Sequence, residues 1–115
     1  MEFVRVEVIT AAAKLNSFKK AILKLGITGM TVSQVMGCGV QKGTMEYEEE
    51  IHDEIELVPK QLIMMVIEKE KLDKALDVIE KTLYTGHIGD GKIFVSDVSN
   101  IIRIRTGEED LDALH

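Results

Sequence analysis

The sequence predicts one α+β domain with the ferredoxin-like, or split-βαβ, order of elements: strand, helix, strand, strand, helix, strand. Two observations support this prediction. Four short segments have strand-like patterns, and two further segments repeat apolar residues every three to four positions, as amphipathic helices do. The chain has 115 residues, which is the size of a single domain, so we treat residues 1–115 as one unit.

The first three elements are a strand, a helix and a second strand. Residues Phe3 to Ile9 alternate between apolar and polar side chains, which predicts a half-buried strand. Gly26 suits the end of the helix that follows. The segment from Met30 to Cys38 is rich in β-branched and apolar residues and predicts the second strand. The helix takes its apolar positions from Leu15, Phe18, Ile22 and Leu25.

The last three elements begin with a continuous apolar run from Leu62 to Ile67, which predicts a central strand buried on both faces. An amphipathic helix follows and ends at Gly86, and Lys92 to Val98 predicts the fourth strand. We expect a short fifth strand over Ile101 to Arg105 and a frayed tail over residues 108–115. The helix takes its inner stripe from Leu72, Ala75, Leu76, Ile79 and Leu83.

A four-stranded sheet that carries both helices on one face leaves its other face bare. Val4 and Val6, together with the row of Met64 and Val66, are more apolar side chains than two helices can cover. A homo-oligomer that packs its sheets against one another would bury the remainder. The sequence therefore predicts more than one subunit, and we expect a homotrimer.

Most of the negative charge lies in one connection. The net charge is −6, yet the segment from Thr44 to Leu57 alone carries −7, which leaves the rest of the chain at +1. This distribution disfavours nucleic-acid binding, which needs a broad basic face. Residues 39–58 form a long loop between the second and third strands, and loops of this length are uncommon without a function. The loop is either a solvated connection or a segment that orders when it docks on a basic partner.

The cysteine content and the apolar runs indicate where in the cell the protein is expected. Cys38 is the only cysteine, so no disulfide forms within the chain, and a reducing cytoplasm is expected. The first residues lack a signal-peptide pattern. No apolar run reaches the ~18 residues of a membrane span, so direct membrane insertion is not expected.

The segment from Thr85 to Val95 is the strongest candidate for a binding site. Glycines let backbone N–H groups approach an anion, and lysine and arginine supply the compensating charge. Arg103 and Arg105 follow at alternate positions, so the pattern predicts a site for a phosphate chain and hence for a nucleotide. A structural turn followed by two solvated arginines is the alternative. The glycines and the lysine of the segment are Gly86, Gly89, Gly91 and Lys92.

Three blocks of the sequence resemble the PII signal-transduction proteins, also called nitrogen regulatory protein P-II. They are Gly29–Val32 with Gly37–Gly43, Thr85–Phe94, and Ile102–Glu109, and their spacing fits over nearly the whole chain. The resemblance implies a ferredoxin-like homotrimer that binds ATP or ADP in the clefts between subunits. It also implies a regulator that acts through residues 39–58 on a nitrogen-related target, such as an ammonium transporter, glutamine synthetase or another enzyme.

The resemblance assigns roles to individual residues. Gln41 and Lys60 match the residues that meet Mg²⁺ and 2-oxoglutarate in family members that sense this keto acid. The remaining matches divide into a phosphate loop, two arginines that reach the nucleotide from a neighbouring subunit, and positions around the base and ribose. These three groups are Gly89, Asp90, Gly91 and Lys92; Arg103 and Arg105; and Thr31, Gly37, Gly39 and Val66.

The sequence departs from the family pattern at several positions. Val40 replaces an arginine that contacts the outer phosphates, and a lost charge-assisted contact costs about 1.5–3 kcal/mol, so we expect altered discrimination between ATP and ADP. Thr10–Ala13 replaces a Lys-Pro-Phe stretch, which argues against 2-oxoglutarate binding. Glu48 aligns with the tyrosine that some members uridylylate, and the role is not transferred to Tyr47. Met64 stands where an acidic residue is common.

The remaining candidates are weak. His52 and Asp53 lie among glutamates, but such a pair in a loop is more often solvated than a metal site, and we predict none. His87 faces either ligand or solvent, and Cys38 is a small apolar residue rather than a nucleophile. No acid, base or nucleophile is placed for catalysis, so an enzyme is not expected. A slow nucleotide hydrolase, or a trimer of the same fold with a different effector or metal, remains the alternative.

Overall fold

The structure is a computed structural model that describes residues 2–11, 15–38, 57–84, 86 and 91–115. A 3-10 turn, Lys69–Lys71, leads from the third strand into the second helix. The strands are β1 (Phe3–Thr10), β2 (Thr31–Cys38), β3 (Leu57–Glu68) and β4 (Lys92–Val98), and the α-helices are α1 (Leu15–Leu23), α2 (Leu72–Leu83) and α3 (Asp110–Leu114).

The four strands form one sheet in the order β2-β3-β1-β4. Every neighbouring pair is antiparallel, and β1 and β3 lie in the centre. In this topology α1 connects β1 to β2, and α2 connects β3 to β4. This is the ferredoxin-like α+β fold, which confirms the prediction. Among the residues that the structure describes, no helix is both long and apolar enough to cross a membrane.

The core lies between one face of the sheet and helices α1 and α2. Successive side chains of a strand point to opposite faces, so Val4, Val6 and Val8 share the covered face, and each is at most 2% exposed. Val78, which the predicted helix stripe omits, also packs against this core. The buried cluster comprises Val4, Val6, Val8, Phe18, Ile22, Ile27, Ile63, Met65, Ile67, Ala75 and Ile79.

The two helices cover only part of the apolar set Val4, Val6, Met64 and Val66, as predicted. Val4 pairs with Ile67 and Val6 pairs with Met65, so these valines lie on the helix-covered face. Met64 and Val66 lie on the opposite face and are half-buried. The prediction combined residues of both faces, because an apolar run does not show which of its alternate residues faces the helices. The homotrimer stays a prediction.

The predicted fifth strand over Ile101 to Arg105 is wrong. Ile102 forms only an isolated bridge with Glu109, and residues 104–106 form a turn. Gly107, with a φ of 72°, donates its N–H to the Arg103 carbonyl at 2.8 Å and so closes the turn. The chain therefore reverses where an extended segment was expected. The segment expected to fray contains α3, and its order in solution stays a prediction.

Candidate functional site

Of the predicted phosphate loop, the structure describes Gly91 and Lys92. Lys92 begins β4 and pairs with Ile9 of β1. Gly91 has a φ of 108°, and a Cβ at this position would overlap the carbonyl oxygen of Ile9. A glycine is therefore required here by the packing of the chain itself, whatever the loop binds.

Gly37 and Lys60 lie at the same end of the sheet as Gly91 and Lys92, and we call this the glycine end. A Cβ at Gly37 would come within 2.9 Å of the Lys60 Cδ atom, so the absence of a side chain lets Lys60 cross the strand. A cavity of about 550 Å³ lies beside Lys60. Gln61 also lines this cavity, and its buried Oε1 atom has no hydrogen-bond partner among the described residues.

Thr31 and Val66, predicted to surround the base and ribose, line a second cavity of about 300 Å³. This cavity lies between the start of β2 and the end of β3, because Thr31 pairs with Met64 and Val66 follows two residues later. The walls are mostly apolar, and residues of the chain's last segment also contribute to them. The apolar lining includes Ile27, Met30, Met64, Met65, Ile67 and Leu114.

Three charged or titratable side chains lie at one margin of this second cavity: Glu68, Lys71 and His115. Glu68 is only 8% exposed. Its Oε1 lies 3.0 Å from His115 Nε2 and 3.7 Å from Lys71 Nζ. The hydrogen bond from His115 is the main cause that lowers the pKa of Glu68; burial opposes this shift, and the positive charge of Lys71 supports it.

Arg103 is held by the segment that follows it. Its Nη2 donates to the Asp112 carbonyl at 3.1 Å, and its Nε lies 3.6 Å from Glu108 Oε1, which is an ion pair without a hydrogen bond. The Arg103 side chain is consequently 32% exposed. Arg105 lies in the adjacent turn and is exposed. The two arginines, predicted on one face of a strand, therefore occupy different environments.

The predicted site residues do not converge within one subunit. β4 begins at Lys92, at the glycine end, and finishes at Val98, which pairs with Phe3. Its seven residues span about 20 Å. Arg103 lies beyond Val98, at the opposite end of the sheet. Contacts of residues 108–115 link it to Glu68. Glu68 also pairs with Phe3, which places it at the same end. We call this second end the tail end.

Several predicted residues lie outside the described part of the chain: Gly39, Gln41, Gly89 and Asp90, as well as Val40, His52, Asp53 and His87. Within the described ranges, no group of three or more histidine, cysteine, aspartate or glutamate side chains is placed to hold a metal ion.

Glu68, Lys71 and His115 are site residues that the sequence does not predict. Glu68 and Lys71 are three positions apart, a spacing typical of a surface ion pair on a helix. His115 is 47 positions from Glu68, and no periodicity or motif connects them. Only the path of the chain after β4 brings these residues together.

Comparisons with known proteins identify the class and then the family. The sheet order and the helices define a ferredoxin-like domain, and residues 3–108 match the family model described as nitrogen regulatory protein P-II. Nitrogen regulatory protein P-II of Cyanidium caldarium is 43% identical over 112 residues, which is 97% of this chain and 99% of the relative. Nitrogen regulatory protein P-II 1 of Escherichia coli is 44% identical over 106 residues, 92% of this chain and 95% of the relative. The chain belongs to the P-II family.

Solved structures agree with this assignment. The B. subtilis GlnK-ATP complex is 37% identical, has a TM-score of 0.83, and covers 97% of this chain and 95% of its own. Arabidopsis thaliana PII bound to citrate is 36% identical, has a TM-score of 0.78, and covers 97% of this chain and 92% of its own. The relatives are named as regulatory proteins, and the fold of this chain is theirs.

Proposed function

We propose that this protein is a non-enzymatic signal-transduction regulator that binds ATP or ADP in the clefts between the subunits of a homotrimer. Residues 39–58 would then engage or release a target of nitrogen metabolism. One observation carries the proposal: a relative that is 37% identical over 97% of this chain was solved as a complex with ATP. The glycine and lysine segment and the arginine pair support the same ligand, because both are suited to phosphate.

The separation of the site residues supports a shared cleft. Lys92 and Arg103 lie at opposite ends of the sheet, so one subunit alone cannot bring both to a nucleotide. A neighbouring subunit that places its tail end against the glycine end supplies the missing arginines. The half-buried Met64 and Val66, on the face away from the helices, provide apolar surface for such an assembly.

The roles of the residues follow from their chemistry. Lys92 neutralises phosphate as a point charge, while Arg103 and Arg105 offer planar guanidinium groups for phosphate oxygens. Thr31 and Val66 form part of a cavity of about 300 Å³ that suits the nucleoside. Bound Mg²⁺ would supply charge neutralisation at the phosphates, and Gln41 is the residue proposed to contact it.

The signal requires that nucleotides differ in their affinity for two states of the loop. The seven acidic residues between Thr44 and Leu57 favour a target with a basic surface, and they disfavour insertion into an anionic site. By family, an ammonium transporter, glutamine synthetase or another nitrogen-related enzyme is the kind of target proposed. A cytoplasmic location fits such partners.

Calorimetric titration with ATP, ADP and AMP tests the proposal. We expect saturable binding of ATP or ADP with one site per cleft, and a trimer by light scattering. The absence of binding to any adenine nucleotide at millimolar concentration would overturn it. Phosphate release faster than about 1 s⁻¹, a common lower value for enzymes, would favour the alternative of a nucleotide hydrolase.

A carboxylate effector near Lys60 is a second candidate. The Arabidopsis relative was solved with citrate, and Lys60 here is a cation beside a cavity of about 550 Å³. The buried Gln61 Oε1, which lacks a partner among the described residues, indicates that a donor group or a water would also be accommodated. Titration with 2-oxoglutarate in the presence of ATP and Mg²⁺ tests this candidate, and Lys60→Gln should abolish any binding that is observed.

A further inference from the structure

The segment after β4 closes on Arg103 through both its backbone and its side chain. The Arg103 N–H donates to the Glu108 carbonyl at 2.9 Å, and the Gly107 N–H donates to the Arg103 carbonyl at 2.8 Å. The guanidinium Nη2 donates to the Asp112 carbonyl at 3.1 Å. The position of Arg103 therefore depends on residues 108–112 remaining folded against it.

The same segment is fastened to the sheet at its other end. His115 follows α3, its N–H donates to the Leu111 carbonyl at 3.2 Å, and its Nε2 lies 3.0 Å from Glu68 Oε1. Glu68 is the last residue of β3 and is 8% exposed, so this end of the contact belongs to the sheet. A continuous set of contacts thus runs from the margin of the 300 Å³ cavity through α3 to the guanidinium of Arg103.

We propose that residues 108–115 form a clamp that positions Arg103 for nucleotide phosphate and that the contact between His115 and Glu68 fastens this clamp. The inference rests on the proposed function, since it assigns Arg103 to a nucleotide. Glu68 and His115 are positioning residues in this scheme. They act on the ligand through the placement of a guanidinium group.

The contacts of Arg103 are compatible with a ligand at its free edge. The Nε and Nη2 groups lie on one edge of the guanidinium, and Glu108 and Asp112 occupy that edge. The Nη1 group lies off this edge and has no hydrogen bond or ion pair among the described residues, so it is able to donate to a phosphate oxygen. Holding a long side chain in one conformation before binding lowers the entropy lost when the ligand arrives. Arg105, exposed in the adjacent turn, serves as the internal comparison.

The test is a double-mutant cycle on ATP affinity in the full-length protein. His115→Ala should weaken ATP binding by about two- to tenfold, the range for releasing one immobilised side chain. The effect should persist in the Arg105→Ala background and disappear in the Arg103→Ala background, because His115 acts through Arg103. An equal effect in both backgrounds would overturn the clamp, since it would place His115 in direct contact with the ligand or in a general structural role.

Two further variants keep the cycle interpretable if His115→Ala folds poorly. His115→Gln retains an N–H donor toward Glu68 and should restore at least part of the lost affinity. Lys81→Gln removes an exposed ion pair with Asp77 on α2 and should leave ATP binding unchanged. Affinity as low in His115→Gln as in His115→Ala would count against a hydrogen-bonded clamp.

Amide hydrogen exchange without nucleotide separates failure of the clamp from failure of the proposed function. The N–H groups of Gly107 and Asp110, which bond to the carbonyls of Arg103 and Ile101, should exchange faster in His115→Ala than in wild type. Unchanged exchange at both amides would overturn the clamp even if ATP binds. Faster exchange together with no nucleotide binding by wild type would preserve the clamp as a structural element and overturn both the proposed function and the role of Arg103 in it.

Discussion

Different kinds of interaction stabilise the two ends of the sheet. At the glycine end, Gly91 adopts a φ of 108° directly beside the Ile9 carbonyl, so backbone sterics determine the structure. At the tail end, polar side-chain contacts add to the backbone bonds of the turn: Glu68 binds His115, and Arg103 binds Asp112 and Glu108. A backbone requirement tolerates one residue type, whereas a set of polar side-chain contacts can lose one member and persist.

The largest effect is expected from Gly91→Ala. The new Cβ would overlap the Ile9 carbonyl oxygen, and the positive φ would be strained in addition. We expect a loss of more than about 2 kcal/mol in the free energy of unfolding. Urea denaturation followed by circular dichroism measures this change.

Gly107→Ala is the matched control at the tail end. Gly107 has a φ of 72°, but no heavy atom lies within 4 Å of a Cβ built there. The expected cost is the left-handed conformation alone, about 1–2 kcal/mol. If Gly107→Ala destabilised the protein as much as Gly91→Ala, the proposed difference between the two ends would be wrong.

The next prediction concerns ATP affinity, which in a shared cleft depends on both the glycine end and the tail end of the sheet. Lys92→Ala and Arg103→Ala should each reduce ATP affinity by about tenfold or more, since each removes a charge-assisted contact. If the cleft is shared, refolding the two variants together regenerates one intact cleft in each mixed trimer, because one subunit supplies Lys92 and its neighbour supplies Arg103. Titration of the mixture should then recover a fraction of sites with wild-type affinity. Complete loss of such sites in a mixture shown to contain mixed trimers would mean that both residues serve the same cleft from one chain, or that one of them serves none.

The fold was accessible from the sequence because its signals are local. The alternation in β1 and the helical spacing of Phe18 and Ile22 follow from periods of two and 3.6 residues. The sequence did not divide Val4 and Val6 from Met64 and Val66, because the continuous apolar run of β3 does not show which of its alternate residues faces the helices. The fifth strand was wrong because Gly107 closes a turn through bonds to Arg103, and alternation of isoleucine and arginine does not reveal such a turn.

The candidate site could be predicted from the sequence only where its residues form a contiguous motif. The glycines, Lys92 and the two arginines stand out because their chemistry is visible in a short segment. Their distribution over two ends of the sheet is a property of the topology. The contact of Glu68 with His115 joins positions 47 residues apart, so neither residue carries a local signal of it.

The contact at Glu68 should make a moderate, pH-dependent contribution to stability. Glu68→Gln should lower the free energy of unfolding by about 1 kcal/mol near neutral pH, because it removes a charge that His115 and Lys71 stabilise. The pKa of this carboxyl is lowered in the folded protein, so its contribution is fully present above the ordinary value of 4.5. It is lost as the pH falls through the lower folded value.

Urea denaturation of wild type and Glu68→Gln at several pH values from 7 down to 3 checks this sign. The difference between the two proteins should shrink below the ordinary pKa of the carboxyl. A difference that grew on acidification would mean that the folded state raises the pKa of Glu68, contrary to the geometry of the His115 contact.

The smallest effect is expected from Thr106→Val, within the exposed turn of the tail end. The Thr106 hydroxyl accepts from the Glu108 N–H at 3.2 Å and donates to Glu108 Oε1 at 2.6 Å. Valine keeps the shape of threonine but removes both bonds, and water can replace them because the turn is exposed, so the cost should be at most about 1 kcal/mol. Amide exchange at Gly107 should accelerate, while the global unfolding transition stays within error of wild type. A comparable shift of the global transition would show that this turn, like the backbone at Gly91, is part of the cooperative unit, and the contrast between the two ends would no longer hold.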